Sequence, residues 1–174
     1  KSIWWIISIF VVLAVAGGVG WILGKKGESV PRAPSSQSGK VPFEEVKDIQ
    51  GQLNYSLDAF SGDQLLVVND QASWQDIFAK LQGQNPLKTS PPPIDFGNKT
   101  LILVLGGTKP TGGYTLSIDE IRKQGEQITV TATLGKPAKG CVTTQAFTFP
   151  NAIVTISKTQ LPISLELKEI EKAC

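Results

Sequence analysis

Residues 100–121 read TLILVLGGTKPTGGYTLSIDEI, and the rest of the domain is arranged around them. The run from Thr100 to Leu105 is continuously apolar, which predicts a buried central strand. From Tyr114 to Ile121 apolar and polar residues alternate, as is typical of a strand with one face in a core. A glycine-rich loop separates the two segments. Residues 100–121 therefore predict two strands joined by a loop, in a domain dominated by β-structure.

The sequence after this stretch continues in strands. Gln127–Leu134 alternates again and predicts an antiparallel hairpin with the strand that ends at Ile121. Thr143–Phe149 and Ala152–Ser157 predict a second strand pair, and Pro162–Ile170 predicts a last strand. About seven strands with short connections favour an antiparallel β-sandwich or a barrel-like domain.

One short helix is predicted before the apolar strand. Four apolar residues recur there at spacings of three and four, which places them on one face of a helix. They are Trp74, Ile77, Phe78 and Leu81. Ser73 stands where a helix cap is expected, and Gln64–Val68 predicts a strand before it. The expected fold class of the globular part is therefore α+β, β-dominated, with one short helix.

The N-terminal segment is apolar over a longer run. Ser2–Leu23 contains no charged residue, and a helix of this length, rising about 1.5 Å per residue, matches the hydrocarbon thickness of a bilayer. The sequence therefore predicts a transmembrane helix at residues 1–23. A cleaved signal peptide is the alternative, because Ala14-Val15-Ala16 has the small-x-small form of a cleavage site.

Small residues recur within this apolar run. Ala16, Gly20 and Gly24 lie four residues apart, and small residues at this spacing let two membrane helices approach closely. Glycine is also common in membrane helices that have no such role. The three positions are therefore candidates for helix packing within a lipid bilayer.

A change of composition follows the apolar run. Residues 24–42 read GKKGESVPRAPSSQSGKVP, rich in Gly, Ser, Pro and Lys and without an apolar period, which predicts a flexible linker. Residues 43–174 are then long enough to form one soluble β-rich domain. The expected organisation is a span, a tether and a single domain.

Composition narrows the possible functions. The net charge of +2 is spread over mixed acids and bases, so a nucleic-acid partner is not expected. The sequence has no histidine, which excludes Ser-His-Asp triads and His-ligated metal sites, and we expect no metal or other cofactor. Cys141 and Cys174 either form one disulfide, as an oxidising compartment allows, or remain unpaired thiols. These features favour a protein that acts by contact and is not an enzyme.

The densest candidate site is the loop GGTKPTGGY. Its glycine pair permits a tight turn, and its proline fixes one backbone angle. A phosphate loop would need Gly-Lys-Ser/Thr opening a helix, whereas a strand follows here, so no nucleotide is expected. Either the glycines serve the connection alone, or the loop is an exposed recognition element. In the second case the partner-binding residues are Lys109, Pro110, Thr111, Gly112, Gly113 and Tyr114.

The hexapeptide Lys109–Tyr114, together with Thr144-Gln145-Ala146, Pro150 and Ile153-Val154, resembles the C-terminal domain family of the protease complex subunit PrcB. The similarity covers Leu65–Lys158. The resemblance implies an extracytoplasmic, non-catalytic subunit that supports a protease. We therefore expect a single-pass membrane protein whose periplasmic, lumenal or extracellular domain binds or stabilises a larger membrane-associated or protease complex.

A second resemblance gives an alternative function. Pro110-Thr111-Gly112-Gly113-Tyr114 is similar to the Asn-Pro-Thr-Thr-Gly-Tyr loop that chagasin-type cysteine-protease inhibitors carry on an immunoglobulin-like sandwich. That family also uses an Arg-Pro-Trp loop, and this sequence has no such tripeptide. The resemblance implies protease inhibition through the loop from Lys109 to Tyr114.

Overall fold

A computed structural model describes residues 38–49, 60, 62–83 and 89–174. The strands are β1 (Gly39–Lys40), β2 (Glu44–Glu45), β3 (Asp63–Val68), β4 (Lys99–Gly106), β5 (Thr115–Gln124), β6 (Gln127–Pro137), β7 (Asn151–Ser157) and β8 (Ile163–Lys172). The helices are α1 (Gln71–Gln82) and a short 3-10 helix (Lys47–Ile49). The prediction of a β-dominated domain with one short α-helix is confirmed.

The strands form two four-stranded sheets. In sheet A the spatial order is β1-β5-β6-β8, and in sheet B it is β2-β7-β4-β3. One apolar core lies between the sheets and contains buried side chains from both, among them Ile102, Ile121 and Val154. A second core lies between sheet B and α1. The described domain therefore has three layers, with sheet B in the middle.

Strand β4 is the predicted apolar strand, and its central position is confirmed, since it lies between β7 and β3. Leu101, Leu103 and Leu105 are fully buried in the core beside α1. Ile102 and Val104 are fully buried in the core between the sheets. Successive side chains of a strand point to opposite faces, so a strand covered on both faces is apolar at every position.

Helix α1 lies where the apolar spacing predicted it, but its cap differs. Asp70 is the N-cap residue, and its Oδ1 accepts a hydrogen bond of 2.8 Å from the backbone N–H of Ser73. The prediction that Ser73 caps the helix is therefore wrong. Hydrogen bonds from Ser73 lower the pKa of Asp70 below its ordinary value of 3.8. On the buried face, Trp74 packs edge-to-face on Phe78 at 5.1 Å, and its Nε1 donates to the Pro92 carbonyl at 3.1 Å.

The predicted hairpin of β5 and β6 is confirmed. The two strands pair antiparallel from Thr115 opposite Gly135 to the turn after Gln124. A β-bulge lies between Ile118 and Glu120. The extra residue shifts the alternation by one position, which turns Ile121 into the core between the sheets.

The predicted second strand pair is wrong. Ala152–Ser157 lies in β7, but β7 pairs with β4 and β2. Residues 143–149 form no named strand, and only an isolated bridge joins Thr148 to Lys109. The physical reason is that the chain leaves sheet A after β6 and enters sheet B at β7, so these neighbouring segments belong to different sheets.

The expectation of a purely antiparallel domain is also wrong. Strand β8 pairs with β6 in parallel, with Ile128 opposite Ile163 and Pro137 opposite Lys172. The chain reaches β8 only after crossing to sheet B and returning. Strand β8 is therefore not the return arm of a hairpin, and short connections do not determine its direction.

Strands β1 and β2 begin the described domain. Gly39–Lys40 pairs with β5, and Glu44–Glu45 pairs with β7, so the segment between them passes from sheet A to sheet B. The backbone N–H of Val41 also donates to the Ile121 carbonyl at 2.7 Å. Gly39 and Lys40, near the end of the segment predicted as a linker, are thus part of sheet A.

The prediction of a transmembrane helix as part of the fold is not supported by the structure. Among the described residues, no helix is long and apolar enough to cross a membrane. Helix α1 has 12 residues, which at about 1.5 Å per residue is far short of a bilayer, and most of its residues are exposed. The predicted span at residues 1–23 and the packing positions Ala16, Gly20 and Gly24 lie outside the described residues.

Candidate functional site

The loop predicted as the partner-binding site connects β4 to β5 and so passes from sheet B to sheet A. A second connection, between β6 and β7, passes in the opposite direction. The two lie side by side, because Lys109 and Thr148 exchange backbone hydrogen bonds of 2.9 and 3.0 Å. We call the two segments, Gly107–Tyr114 and Cys141–Phe149, the paired loops.

Two further hydrogen bonds join the paired loops. The Gly112 N–H donates to the Thr144 carbonyl at 2.9 Å, and the Thr148 hydroxyl donates to the Thr111 carbonyl at 2.7 Å. Each loop therefore supplies the backbone partners that the other would lack at the end of a two-sheet domain. The resulting surface is held by its backbone in one arrangement.

Glycine is required at the two positions of the turn for different reasons. Gly113 has φ +86°, a left-handed conformation that favours glycine. Gly112 is buried and has no positive φ, but a Cβ there would overlap the hydroxyl oxygen of Thr144. The sequence predicted a tight turn from both glycines. In the structure, Gly113 is needed for its positive φ, and Gly112 is needed because a side chain there would overlap Thr144.

The side chains of the loop differ in what they offer a partner. Pro110 is exposed, while Thr111 and Tyr114 are half-buried. Lys109 is largely covered, because its Nζ lies 3.5 Å from the Asp63 Oδ1 and only 20% of its side chain is accessible. Of the six predicted residues, Pro110 and Gly113 are therefore the ones that the structure leaves exposed.

The second loop adds residues that sequence reasoning missed. Val142 is fully exposed and Phe147 is 63% exposed. The alternation from Thr143 to Phe149 is that of a strand, and in a strand Phe147 would share the buried face of Phe149. Phe149 does pack against the core beside α1, but Phe147 does not follow it. The exposed pair became visible only with the tertiary structure.

A disulfide joins Cys141 to Cys174, the pairing that the sequence left open. The Cα atoms are 5.6 Å apart. The bond ties the start of the second loop to the end of β8, and the Ala138 N–H donates to the Lys172 carbonyl beside it at 2.9 Å. The paired loops are thus fixed to sheet A at one end and to each other along their length.

The polar side chains of the paired loops are partly engaged within the domain. Within the ranges that the structure describes, no group of three or more His, Cys, Asp or Glu residues could hold a metal ion. The Thr148 hydroxyl is already engaged with the Thr111 carbonyl, and Lys109 with Asp63. The exposed residues are Pro110 and Gly113 in the first loop and Val142 and Thr144–Phe147 in the second.

The close contact of Gly112 with Thr144 predicts a specific destabilisation. We expect Gly112→Ala to lower the free energy of unfolding by about 0.5–1.5 kcal/mol, because the exposed Thr144 side chain must leave its rotamer to make room for the added methyl. Adding Thr144→Ala should restore most of the loss. Urea unfolding measures both changes. Gly39→Ala is the matched control, since a Cβ at Gly39 meets no atom within 4 Å. Equal losses in Gly112→Ala with and without Thr144→Ala would contradict the overlap.

The disulfide predicts a redox-dependent stability. It closes a loop with a sequence separation of 33 residues, and the chain-entropy relation gives about 3–4 kcal/mol for a loop of that length. The double variant Cys141→Ser, Cys174→Ser should lose about that much in urea unfolding. A reductant should lower the midpoint of the wild type towards that of the variant and leave the variant unchanged. Wild type and variant unfolding together would show that the bond contributes nothing.

One segment of the chain matches the model of a known protein family. Residues 100–157, which run from β4 through the paired loops to the end of β7, match the family model described as PrcB C-terminal. Comparison with curated proteins and with solved structures gave no match. The resemblance predicted from the sequence is therefore confirmed over residues 100–157, which are similar to the PrcB C-terminal family.

Proposed function

We propose that this chain is a non-catalytic accessory protein whose β-rich domain binds or stabilises a larger protease complex outside the cytoplasm. The family match supports a role related to a protease complex. The observation that carries the proposal is the backbone pairing of the two loops, which builds an exposed surface around Pro110 and Gly113.

The pairing of the loops favours binding because it reduces the conformational entropy that the loops lose when a partner binds. A free loop loses conformational freedom when it binds, and this loss subtracts from the affinity. Here hydrogen bonds from Lys109, Gly112 and Thr148 already fix the backbone. A surface fixed in advance suits recognition of a folded protein.

The compartment is inferred from the cysteines. A disulfide between Cys141 and Cys174 persists where the surroundings are oxidising, as in the periplasm, the secretory lumen or the extracellular space. This agrees with the location that the PrcB resemblance implies. We therefore assign the domain to an extracytoplasmic compartment.

The non-catalytic assignment is based on the chemistry of the surface. The sequence contains no histidine to serve as a general base for a hydroxyl nucleophile. The Thr148 hydroxyl in the paired loops donates to a backbone carbonyl at 2.7 Å. A surface of this kind supplies shape and hydrogen bonds and is suited to holding a partner.

Photo-cross-linking tests the proposed function. We expect a benzophenone amino acid in place of Pro110, incorporated in cells that make the protein, to form an adduct with a subunit of a protease complex. The matched control is the same amino acid at Gln75, which is exposed on α1 and far along the chain from the paired loops. Adducts are identified by mass spectrometry after mild solubilisation. Identical adducts at both positions, or none at Pro110, would contradict the proposal.

Direct protease inhibition is the second candidate. It is favoured by the position of the loop at one end of a two-sheet domain, with Pro110 and Gly113 exposed. Titrating the purified chain against papain-like proteases separates the two functions. An inhibitor should block cleavage at micromolar concentration and lose potency in Pro110→Ala. An accessory subunit should leave cleavage unchanged.

A further inference from the structure

We propose that Phe147 and Val142 are the apolar anchor of the partner contact, and that the partner is a different protein with an apolar pocket and an acidic rim. This inference rests on the proposed function and names the part of the surface that carries the affinity. It extends the contact from the loop that the sequence indicated to the second of the paired loops.

The exposure of the two side chains is the first observation. Four large apolar side chains are exposed in the described part of the chain, and Val142 and Phe147 are the two most exposed of them. They lie within one segment of nine residues that begins at a disulfide. Aromatic residues are enriched at the centre of protein interfaces, where a few of them supply most of the binding free energy.

The second observation is that the backbone around Phe147 is fixed. Thr144 accepts a hydrogen bond from Gly112, and Thr148 exchanges two with Lys109. Cys141, at the start of the segment, is held by its disulfide. Phe147 therefore lies between fixed points and can enter a pocket with little loss of backbone entropy.

The third observation is charge. The sequence has no Asp or Glu from Gly106 to Tyr114 or from Lys136 to Asn151. Lys109 and Lys136 are paired, with Asp63 at 3.5 Å and Glu171 at 3.6 Å. Lys139 is exposed two residues before Cys141. Among the charged side chains of these two segments, Lys139 is the one for which the structure shows no ion pair, so it is the positive charge that an acidic rim on a partner would meet.

The same charge argues against a second copy as the occupant. The paired loops contain no Asp or Glu, so a second copy that met them through its own paired loops would bring no acidic side chain to pair with Lys139. An acidic rim on another protein would instead attract it. A different protein is therefore the occupant that the surface favours.

Competition for a photo-adduct tests the anchor. Phe147 is replaced by a benzophenone amino acid, which keeps an aromatic ring, in cells that make the protein. Purified full-length chain is then added as competitor in increasing amounts. We expect an adduct with another protein, and we expect wild-type competitor to abolish it. Competitor carrying Phe147→Ala should need about 30-fold more protein, as for an interface hot spot.

Two variants serve as controls. Ile170→Ala removes another exposed apolar side chain, on β8 in sheet A, and should compete like the wild type. Lys139→Glu should compete less well at low salt and regain potency as salt is added, because screening weakens the charge repulsion. Each competitor is checked by urea unfolding, and all should keep the wild-type midpoint, since their side chains are exposed.

Three results would overturn the inference. They are no adduct at position 147, an adduct between two copies of this chain, and equal competition by Phe147→Ala and wild type. These results are distinguishable from a failure of the proposed function. If the benzophenone at Pro110 traps a protease subunit while Phe147→Ala competes normally, the accessory role stands and the anchor is wrong.

Discussion

Strand β4 has to be covered by apolar groups on both faces, and the rest of the domain is arranged to do so. Helix α1 covers one face and sheet A covers the other. Burying one large aliphatic side chain contributes about 1.5–3 kcal/mol, whereas a whole domain is stable by only about 5–15 kcal/mol. Five consecutive buried residues, Leu101–Leu105, therefore make both covers necessary.

The paired loops follow from this layering. A strand in the middle layer must be connected to strands in sheet A, so the chain crosses between the sheets after β4 and again after β6. Both crossings have backbone groups that no sheet satisfies, and they satisfy each other through Lys109, Gly112, Thr144 and Thr148. The surface that we propose for binding therefore results from the fold, because it is formed by the two connections that pass between the sheets.

The sequence predicted the elements that local patterns determine. The unbroken apolar run gave β4, the alternation gave the hairpin of β5 and β6, and the three-four spacing gave α1. It did not predict which sheet receives β7 or that β8 runs parallel to β6, because these pairings join segments far apart in the chain. The cap was misplaced because Asp70 and Ser73 are both good cap residues, and their difference lies in backbone conformation.

The candidate site divides in the same way. Glycine and proline in the sequence indicate the first loop, whereas the alternation of residues 143–149 predicts a strand where the structure has the second loop. The side chain of Phe147 would point inward only if residues 143–149 formed a regular strand. In the structure, Thr148 is the one residue of this segment that forms a β-bridge. Phe149 packs against the core beside α1, whereas Phe147 is exposed between the disulfide-bonded Cys141 and the bridged Thr148. An exposed aromatic side chain on a backbone that hydrogen bonds already fix loses little backbone entropy when a partner covers it, and this is the property that the proposed anchor requires.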